Sequence, residues 1–453
     1  MIPDRIDSWL RSVAGGEVTA IRPISGGGQR KTLFVEVTDG PDLVLQVAAG
    51  GGPYYGTDIT SLVREGRLFE ALSGTSAAPL VPELVGVNPE ADAILTVRAP
   101  GASDFDLLAD PPRQAILTAQ FMDALARLHA SDAAAVAEVG FEAPGEGRGA
   151  ALTALGTWQR LFRSVRRPAP LIRFALQWLA DNAPDRDGPM VICHGDTGPG
   201  NFLFEGDRLT KLVDWELAHL GDYHNDLGMV ALRGFQLHAM TGLDEALAHY
   251  ARTSGRRVDG WKVRYYRAQT LILGLVTTLK QLDEAVASER PLVAMPLYLH
   301  LLPLFQGWLA EALLDLAGLA PEPAELPGEE IDLDQLDVAL AYGGLEPVLS
   351  DLALSGGHVS FHQLSLHLAA RARFGRSVEA AELDDFERLL GERPTNVTQG
   401  KLALDAGLQA GRLDNEALLR WASRSSQRQS RLWPAWADRY ARPMLPIADE
   451  YLP

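Results

Sequence analysis

The sequence predicts an α+β chain with two lobes: a small lobe led by an antiparallel sheet and a larger helical lobe, followed by an all-α C-terminal region. Three observations carry this expectation. Between Arg22 and Val47, apolar alternation around Leu33, Val35 and Val37 follows a glycine cluster, and a second turn at Gly40 leads into LVLQV; this is the period-two pattern of paired strands. From Asp226 to Ala320, apolar residues recur at helical spacing. The stretch PEPAELPGEE at 321–330 is proline-rich and acidic, as linkers are, and helical periodicity resumes beyond it. The expected organisation is therefore residues 1–97 as the small lobe, 98–320 as the larger lobe, 321–330 as a linker and 331–453 as a helical accessory domain.

The remaining elements follow in order. Thr60 to Leu72 reads as an amphipathic helix carrying Glu65, and Ala93 to Val97 as a short strand ended by Pro100-Gly101. Pro112 to His129 and Pro168 to Asp181 are helical, while Val191 to Cys193 and Lys211 to Asp214 are β-like pieces around a loop. Pro291 to Ala320 is the most apolar region, but His300, Gln306, Glu311 and Asp315 interrupt it. A membrane span requires about 20 nearly unbroken apolar residues, so core helices are expected here.

Composition narrows the function classes. With 453 residues, 47% hydrophobic and 22% charged, the chain is a folded protein of two or three domains. A net charge of −18 argues against nucleic-acid binding through general phosphate attraction. Cys193 is the single cysteine, which excludes an intrachain disulfide. MIPDRIDSWL has no basic segment leading into an apolar run. Together these fit a cytoplasmic location.

The chemistry concentrates in HGDTGPGNFLFEGDRLTKLVDWE, His194 to Glu216. Asp196 precedes Asn201 by five positions and Asp214 follows Asn201 by thirteen. The protein-kinase catalytic loop, H-R-D-x-x-x-x-N with a later metal-binding Asp, has the same offsets, with Gly195 here in place of the Arg. Phosphoryl transfer needs these residue types. Charge spreads over the phosphate oxygens in the transition state, so Mg²⁺ must neutralise it, and Mg²⁺ prefers a few protein oxygens alongside phosphate and water. Asn201 and Asp214 suit that role, and Asp196 suits the base that orients or accepts the hydroxyl proton. The alternative is a polar turn between two strands that happens to carry these side chains.

This stretch, and the longer string DWELAHLGDYHNDLG, resemble the aminoglycoside phosphotransferase family, a branch of the kinase-like fold, and within it the proteins associated with acyl-CoA metabolism. The resemblance covers about residues 20–320. It implies a two-lobed protein-kinase-like fold and ATP- and Mg²⁺-dependent phosphorylation of a hydroxyl, with Asp196 as base and Asn201 and Asp214 as metal ligands. Glu216 would serve the metal site or brace the loop. Asp222 and Asp226 would fix the following loop, His219 and His224 would pack it, and Cys193 would fill a strand. Ser25, Gly26, Gly27 and Gly28 would cover the triphosphate, the segment from Thr96 to Arg98 would receive the adenine through its backbone, and Glu65 would be the helix glutamate.

One position departs from the pattern. The third strand should carry a cation paired with that glutamate, but Val44-Leu45-Gln46 stands there. Lys31 or Arg30 is the candidate substitute; otherwise the nucleotide is held weakly or the protein is a degenerate nucleotide-binding scaffold. The acceptor implied by the resemblance is a hydroxyacyl-CoA, with an antibiotic (aminoglycoside or macrolide) or another small alcohol as the alternative. In the accessory region, Arg420, Arg424, Arg428 and Arg431 fall on one helix face. They form either a solvated or docking stripe or an anion site for a CoA handle.

Overall fold

A computed structural model describes residues 2–24, 30–48, 61–104, 110–186, 188–288, 295–326, 328, 337–344 and 361–453. Ser25, Gly26, Gly27 and Gly28 lie outside the described residues. The chain divides into two compact units. One comprises Met1–Ala154, Ala183–Arg267 and Leu445–Pro453, and the other Leu155–Asn182 and Ala268–Met444.

The first unit contains the expected sheet. Strands β1 (Val18–Pro23), β2 (Arg30–Val37), β3 (Leu43–Ala48), β4 (Leu84–Asn88) and β5 (Ala93–Val97) lie in the order β1-β2-β3-β5-β4, with every pairing antiparallel. Residues directly opposite each other share a face, so the register sorts the polar positions. Val35, Leu43, Leu45, Ala93 and Leu95 form one face, which packs with Ile6 and Leu10 of helix α1 (Asp4–Val13). Lys31, opposite Val47, belongs to this face. Arg30, Thr32, Gln46, Ile94 and Thr96 form the other. On that side Ile94 joins a core with Leu62, Leu68 and Phe69 of helix α2 (Leu62–Ser73). Ser61 caps α2 by accepting the Arg64 N–H at 3.4 Å, and Asp92 in the β4–β5 turn accepts the Val63 N–H at 3.1 Å. The helix that carries Glu65 is thus fastened to the sheet beneath it.

The rest of this unit supports two small ribbons. β6 (Val191–Cys193) pairs with β9 (His219–Gly221), and β7 (Phe202–Glu205) pairs with β8 (Arg208–Leu212). Helix α3 (Pro111–His129) packs on helix Leu243–Ser254, and Phe121, Leu125, Phe202, Trp215 and Tyr250 share its core. The final residues also belong to this unit: Glu450–Tyr451 pairs with Val258–Asp259, and Arg267 donates to the Leu445 carbonyl oxygen at 2.6 Å.

The second unit is helical among the described residues. It includes Pro170–Asp181, Met295–Leu316, Phe361–Leu390, Val397–Gln409 and Asn415–Gln429. Leu297–Leu316 is the one described stretch long and apolar enough to cross a membrane, and 56% of its qualifying 18-residue window is buried within the protein. Three arginines of the stripe are committed to carboxylates of their own unit. Buried Arg428 donates to Glu382 and Asp385, each at 2.6 Å; Arg424 reaches Asp385 and Glu322, and Arg420 reaches Glu416 and Glu322. Glu382 and Asp385 are three residues apart on Phe361–Leu390, hence on one helix face. These three arginines brace the unit from within, which leaves them little capacity for a CoA handle, while Arg431 is exposed and lies over the Phe374 ring at 5.7 Å.

Candidate active site

The loop from His194 to Asn201 is held by buried groups on both sides. Asp226 is fully buried and accepts the N–H of His194 and of Gly195, each at 2.8 Å, while His129 Nε2 lies 3.0 Å from the same carboxylate. Despite the cost of burial, these partners hold its pKa below the usual carboxylate value. His194 ties the two ribbons together. Its Nε2–H donates to the Val213 carbonyl oxygen at 3.0 Å, its Nδ1 accepts the Asp196 N–H at 3.3 Å, and its ring lies 4.5 Å from that of Trp215. With both nitrogens so used it is a neutral imidazole, and burial lowers its pKa accordingly. Gly195 sits at φ +83°, and a Cβ there would meet the Leu217 carbonyl oxygen at 2.2 Å. The arginine of the protein-kinase pattern therefore has no room at this position.

We expect Asp226→Ala to lower folding stability by about 3 kcal/mol, because three donors that converge on one carboxylate lose their acceptor in the core. Chemical denaturation with a two-state fit is the check. A loss below about 0.5 kcal/mol, the size typical of an ordinary surface substitution, would deny Asp226 this role.

Asp196, Asn201 and Asp214 are brought together. The Asn201 Nδ2 donates to the Asp196 backbone oxygen at 2.8 Å and to its carboxylate at 2.7 Å. This commits the amide nitrogen and leaves Oδ1 as the oxygen available to a cation. Asp214 lies just past β8 in the left-handed region, at φ 64°, a conformation that costs a non-glycine residue free energy and recurs at functional sites. Water reaches its side chain, yet protein crowds it closely. That desolvation, with Asp196 and Glu65 adding to it against Arg30, pushes its pKa to about 6. Glu216 is pushed further, to about 8, by burial first and Asp214 second. Carboxylates gathered in so desolvated a place, beyond what Arg30 and Arg233 offset, have a divalent cation as their chemical complement.

β3 carries Gln46 where the pattern has a cation, and β2 brings a cation to the same glutamate. Arg30 is buried, its Nη1 lies 2.6 Å from Glu65, and its Nε lies 3.5 Å from Glu216. Gln46 faces the same side, two residues along β3 from Ala48, the residue opposite Arg30, and its side chain makes no hydrogen bond among the described residues. Lys31, the other candidate, is on the α1 face and exposed. The Arg30 guanidinium is ion-paired, but none of its three nitrogens makes a well-directed hydrogen bond among the described residues. A buried guanidinium with donor capacity beyond its ion pairs suits a phosphate.

Arg233 is a residue that sequence reasoning missed. It lies in the π-helical turn Ala231–Leu237, a geometry frequent at functional sites. Its guanidinium contacts the Asp196 carboxylate at 2.6 Å, the Asp196 carbonyl oxygen at 3.0 Å and the Pro199 carbonyl oxygen at 3.2 Å. A Cβ on Gly198 would meet the Arg233 Cβ at 2.9 Å, so glycine lets this approach occur.

The side chains of the other sequence candidates have partners or places of their own. Thr96 is buried within β5, opposite Val44. The Arg98 side chain turns outward to Asp42 at 3.3 Å and over the Phe34 ring at 4.4 Å, while its backbone N–H donates to the Asp42 carbonyl oxygen. The Asp222 carboxylate accepts from His224 Nδ1 at 2.7 Å, and His224 Nε2 accepts the Asp259 N–H at 3.0 Å. His219 bonds the Leu217 carbonyl oxygen at 2.9 Å. Cys193 is buried in β6, and burial pushes its thiol well above the ordinary value, so it packs rather than attacks.

Comparison with known proteins gives one family assignment. The model of the phosphotransferase enzyme family matches residues 20–265. Solved structures similar to this chain include the macrolide 2′-phosphotransferase MphH from Brachybacterium faecium, at 23% identity over 64% of this chain and 94% of that one, with a TM-score of 0.44. Wild-type aminoglycoside 2′-phosphotransferase-IIIa in complex with GDP matches at 15% identity over 66% and 96%, with a TM-score of 0.47. A choline/ethanolamine kinase family protein from Mesorhizobium loti matches at 17% over 70% and 94%, with a TM-score of 0.43.

Proposed function

The chain belongs to the phosphotransferase enzyme family, and we propose that it moves the γ-phosphoryl group of ATP onto the hydroxyl of a small molecule that carries an anionic group. The observation that carries the nucleotide half of this reading is Arg30, a buried guanidinium paired with Glu65 and left with donors to spare. It also removes the motive for a degenerate scaffold, since the cation absent at Gln46 stands on the neighbouring strand.

Asp196 orients the acceptor hydroxyl and takes its proton as the new O–P bond forms and the bond from the γ-phosphorus to the β–γ bridging oxygen breaks, releasing ADP. Asn201 holds the Asp196 carboxylate in place through its amide nitrogen. Arg30, held by Glu65, faces phosphate oxygens. Mg²⁺, when held by Asn201 Oδ1 and Asp214, supplies the positive charge that the nucleotide phosphates require.

Arg233 supports the acceptor half. Nε and one N–H of Nη2 have no partner among the described residues, and they lie next to the base that receives the hydroxyl. An anionic acceptor can use them, whereas a polycationic aminoglycoside would meet a guanidinium beside its reacting hydroxyl. Hydroxyacyl-CoAs and free hydroxy acids belong to the favoured class. The net charge of −18 suits a polycation better, but it is spread over the whole surface.

The test is transfer from labelled ATP to a panel of hydroxy acids, hydroxyacyl-CoAs, choline, kanamycin and a macrolide. Turnover is expected with anionic acceptors, and Arg233→Ala should raise their KM about tenfold, the size of one lost charge-assisted contact. Phosphorylation of kanamycin with none of the anionic acceptors would remove the acceptor half and leave the transfer reaction standing.

A further inference from the structure

Within the second unit, helices Met295–Leu316, Phe361–Leu390 and Val397–Gln409, with Trp433, line a cavity of about 400 Å³. That volume lies in the range of small-molecule pockets, which are mostly apolar with a few polar groups. Leu302, Leu364, Leu368, Val397 and Trp433 supply the apolar wall.

The polar lining divides into satisfied and unsatisfied groups. Glu382 is neutralised by Arg428, which donates twice to one of its oxygens, while Trp421 Nε1 donates to the other at 3.2 Å. His367 stacks on Trp433 with ring centroids 3.8 Å apart, and its Nδ1–H donates to the Leu432 carbonyl oxygen. Gln306, Ser425 and Gln429 add neutral polar groups, and Arg371 and Lys401 are the cations of the lining: neither makes a side-chain hydrogen bond or ion pair among the described residues. Arg371 is exposed at the rim and Lys401 is half-buried. Crowding by protein lowers the lysine's pKa, with Glu382 opposing that from beyond ion-pair distance.

An apolar cavity with two unpaired cations asks for one kind of occupant, because the cations gain by meeting an anion out of bulk water and the wall gains by covering hydrocarbon. We propose that this cavity binds a straight-chain carboxylate, its chain against Leu302, Leu364, Leu368 and Trp433 and its carboxylate between Arg371 and Lys401. Its lining includes none of the residues placed at the phosphotransferase centre, and binding requires neither nucleotide nor turnover.

The test is titration calorimetry of the full chain, without nucleotide, using decanoate, decanol and acetate. Decanol keeps the chain without the charge, and acetate keeps the charge without the chain. Decanoate should bind at one equivalent, about tenfold tighter than decanol, the factor expected of a charge-assisted contact, and acetate should give no measurable heat. Lys401→Gln and Arg371→Gln should each weaken decanoate about tenfold and leave decanol unchanged. Both side chains lack partners, so the variants should melt with the wild type. Leu364→Trp, which fills the cavity, should abolish binding of both chains. The proposal is overturned if decanoate does not bind, if it binds no better than decanol, or if both glutamine variants bind it as the wild type does.

Discussion

Asp196→Asn is expected to lower kcat for phosphoryl transfer by about a thousandfold, within the range attributed to positioned acid–base groups, while the chain stays folded. The asparagine can still accept the Asn201 Nδ2–H and lie near Arg233, so the loop keeps its anchors: Asp226 on the His194 and Gly195 N–H groups, and His194 on Val213. What it cannot do is accept the hydroxyl proton. The loss should therefore appear in kcat, with the KM for ATP changed little and the melting temperature close to that of the wild type. A variant that turned over at the wild-type rate would show that another group takes the proton.

Arg30→Met is expected to lower kcat/KM for ATP by about 10²- to 10³-fold, the size of removing one positioned stabiliser of developing charge. It also leaves Glu65 and Glu216 without their shared cation, so its melting temperature should fall. For that reason the informative variant is the double one. Gln46 lies on the same sheet face, two residues along the neighbouring strand from the position opposite Arg30. A lysine at 46 can reach Glu65 from the strand where the kinase pattern normally places it. Arg30→Met/Gln46→Lys should recover at least tenfold of the lost kcat/KM, a factor worth about 1.4 kcal/mol, whereas Gln46→Lys alone should change little because Arg30 already holds the place. Wild-type kcat/KM in Arg30→Met, or a double variant no better than the single, would contradict the assignment of Arg30 as the phosphate cation.

These two residues also show how legible the sequence was. That Asp196, Asn201 and Asp214 come together was readable because they share one short loop and ribbon at the offsets of the kinase pattern. The α+β fold and the phosphotransferase activity followed from that loop and from the strand pattern before it. Arg30 was readable only as one of two candidates. Choosing between Arg30 and Lys31 requires the register of β2 on β3, and a one-residue slip exchanges the faces. Arg233 was not readable at all: it lies 37 positions after Asp196, in a helical turn whose π geometry leaves no mark in the residue pattern. The stripe Arg420, Arg424, Arg428 and Arg431 left a docking face and an anion site both open, and the first three of these arginines take the docking role. A helix face of arginines looks the same in sequence whether it meets a ligand or, as here, Glu382, Asp385 and Glu322. The partners that decide the matter lie 39 residues or more away along the chain.

The most direct test of the nucleotide site is ATP affinity, measured by titration calorimetry for the wild type and Asp214→Asn, each with and without Mg²⁺. If Asn201 and Asp214 hold the cation that binds the phosphates, Mg²⁺ should tighten ATP binding to the wild type about tenfold or more, the size of a charge-assisted contact. That gain should vanish in Asp214→Asn, while the metal-free affinities of the two proteins stay similar. Equal ATP affinity in all four titrations would contradict the account.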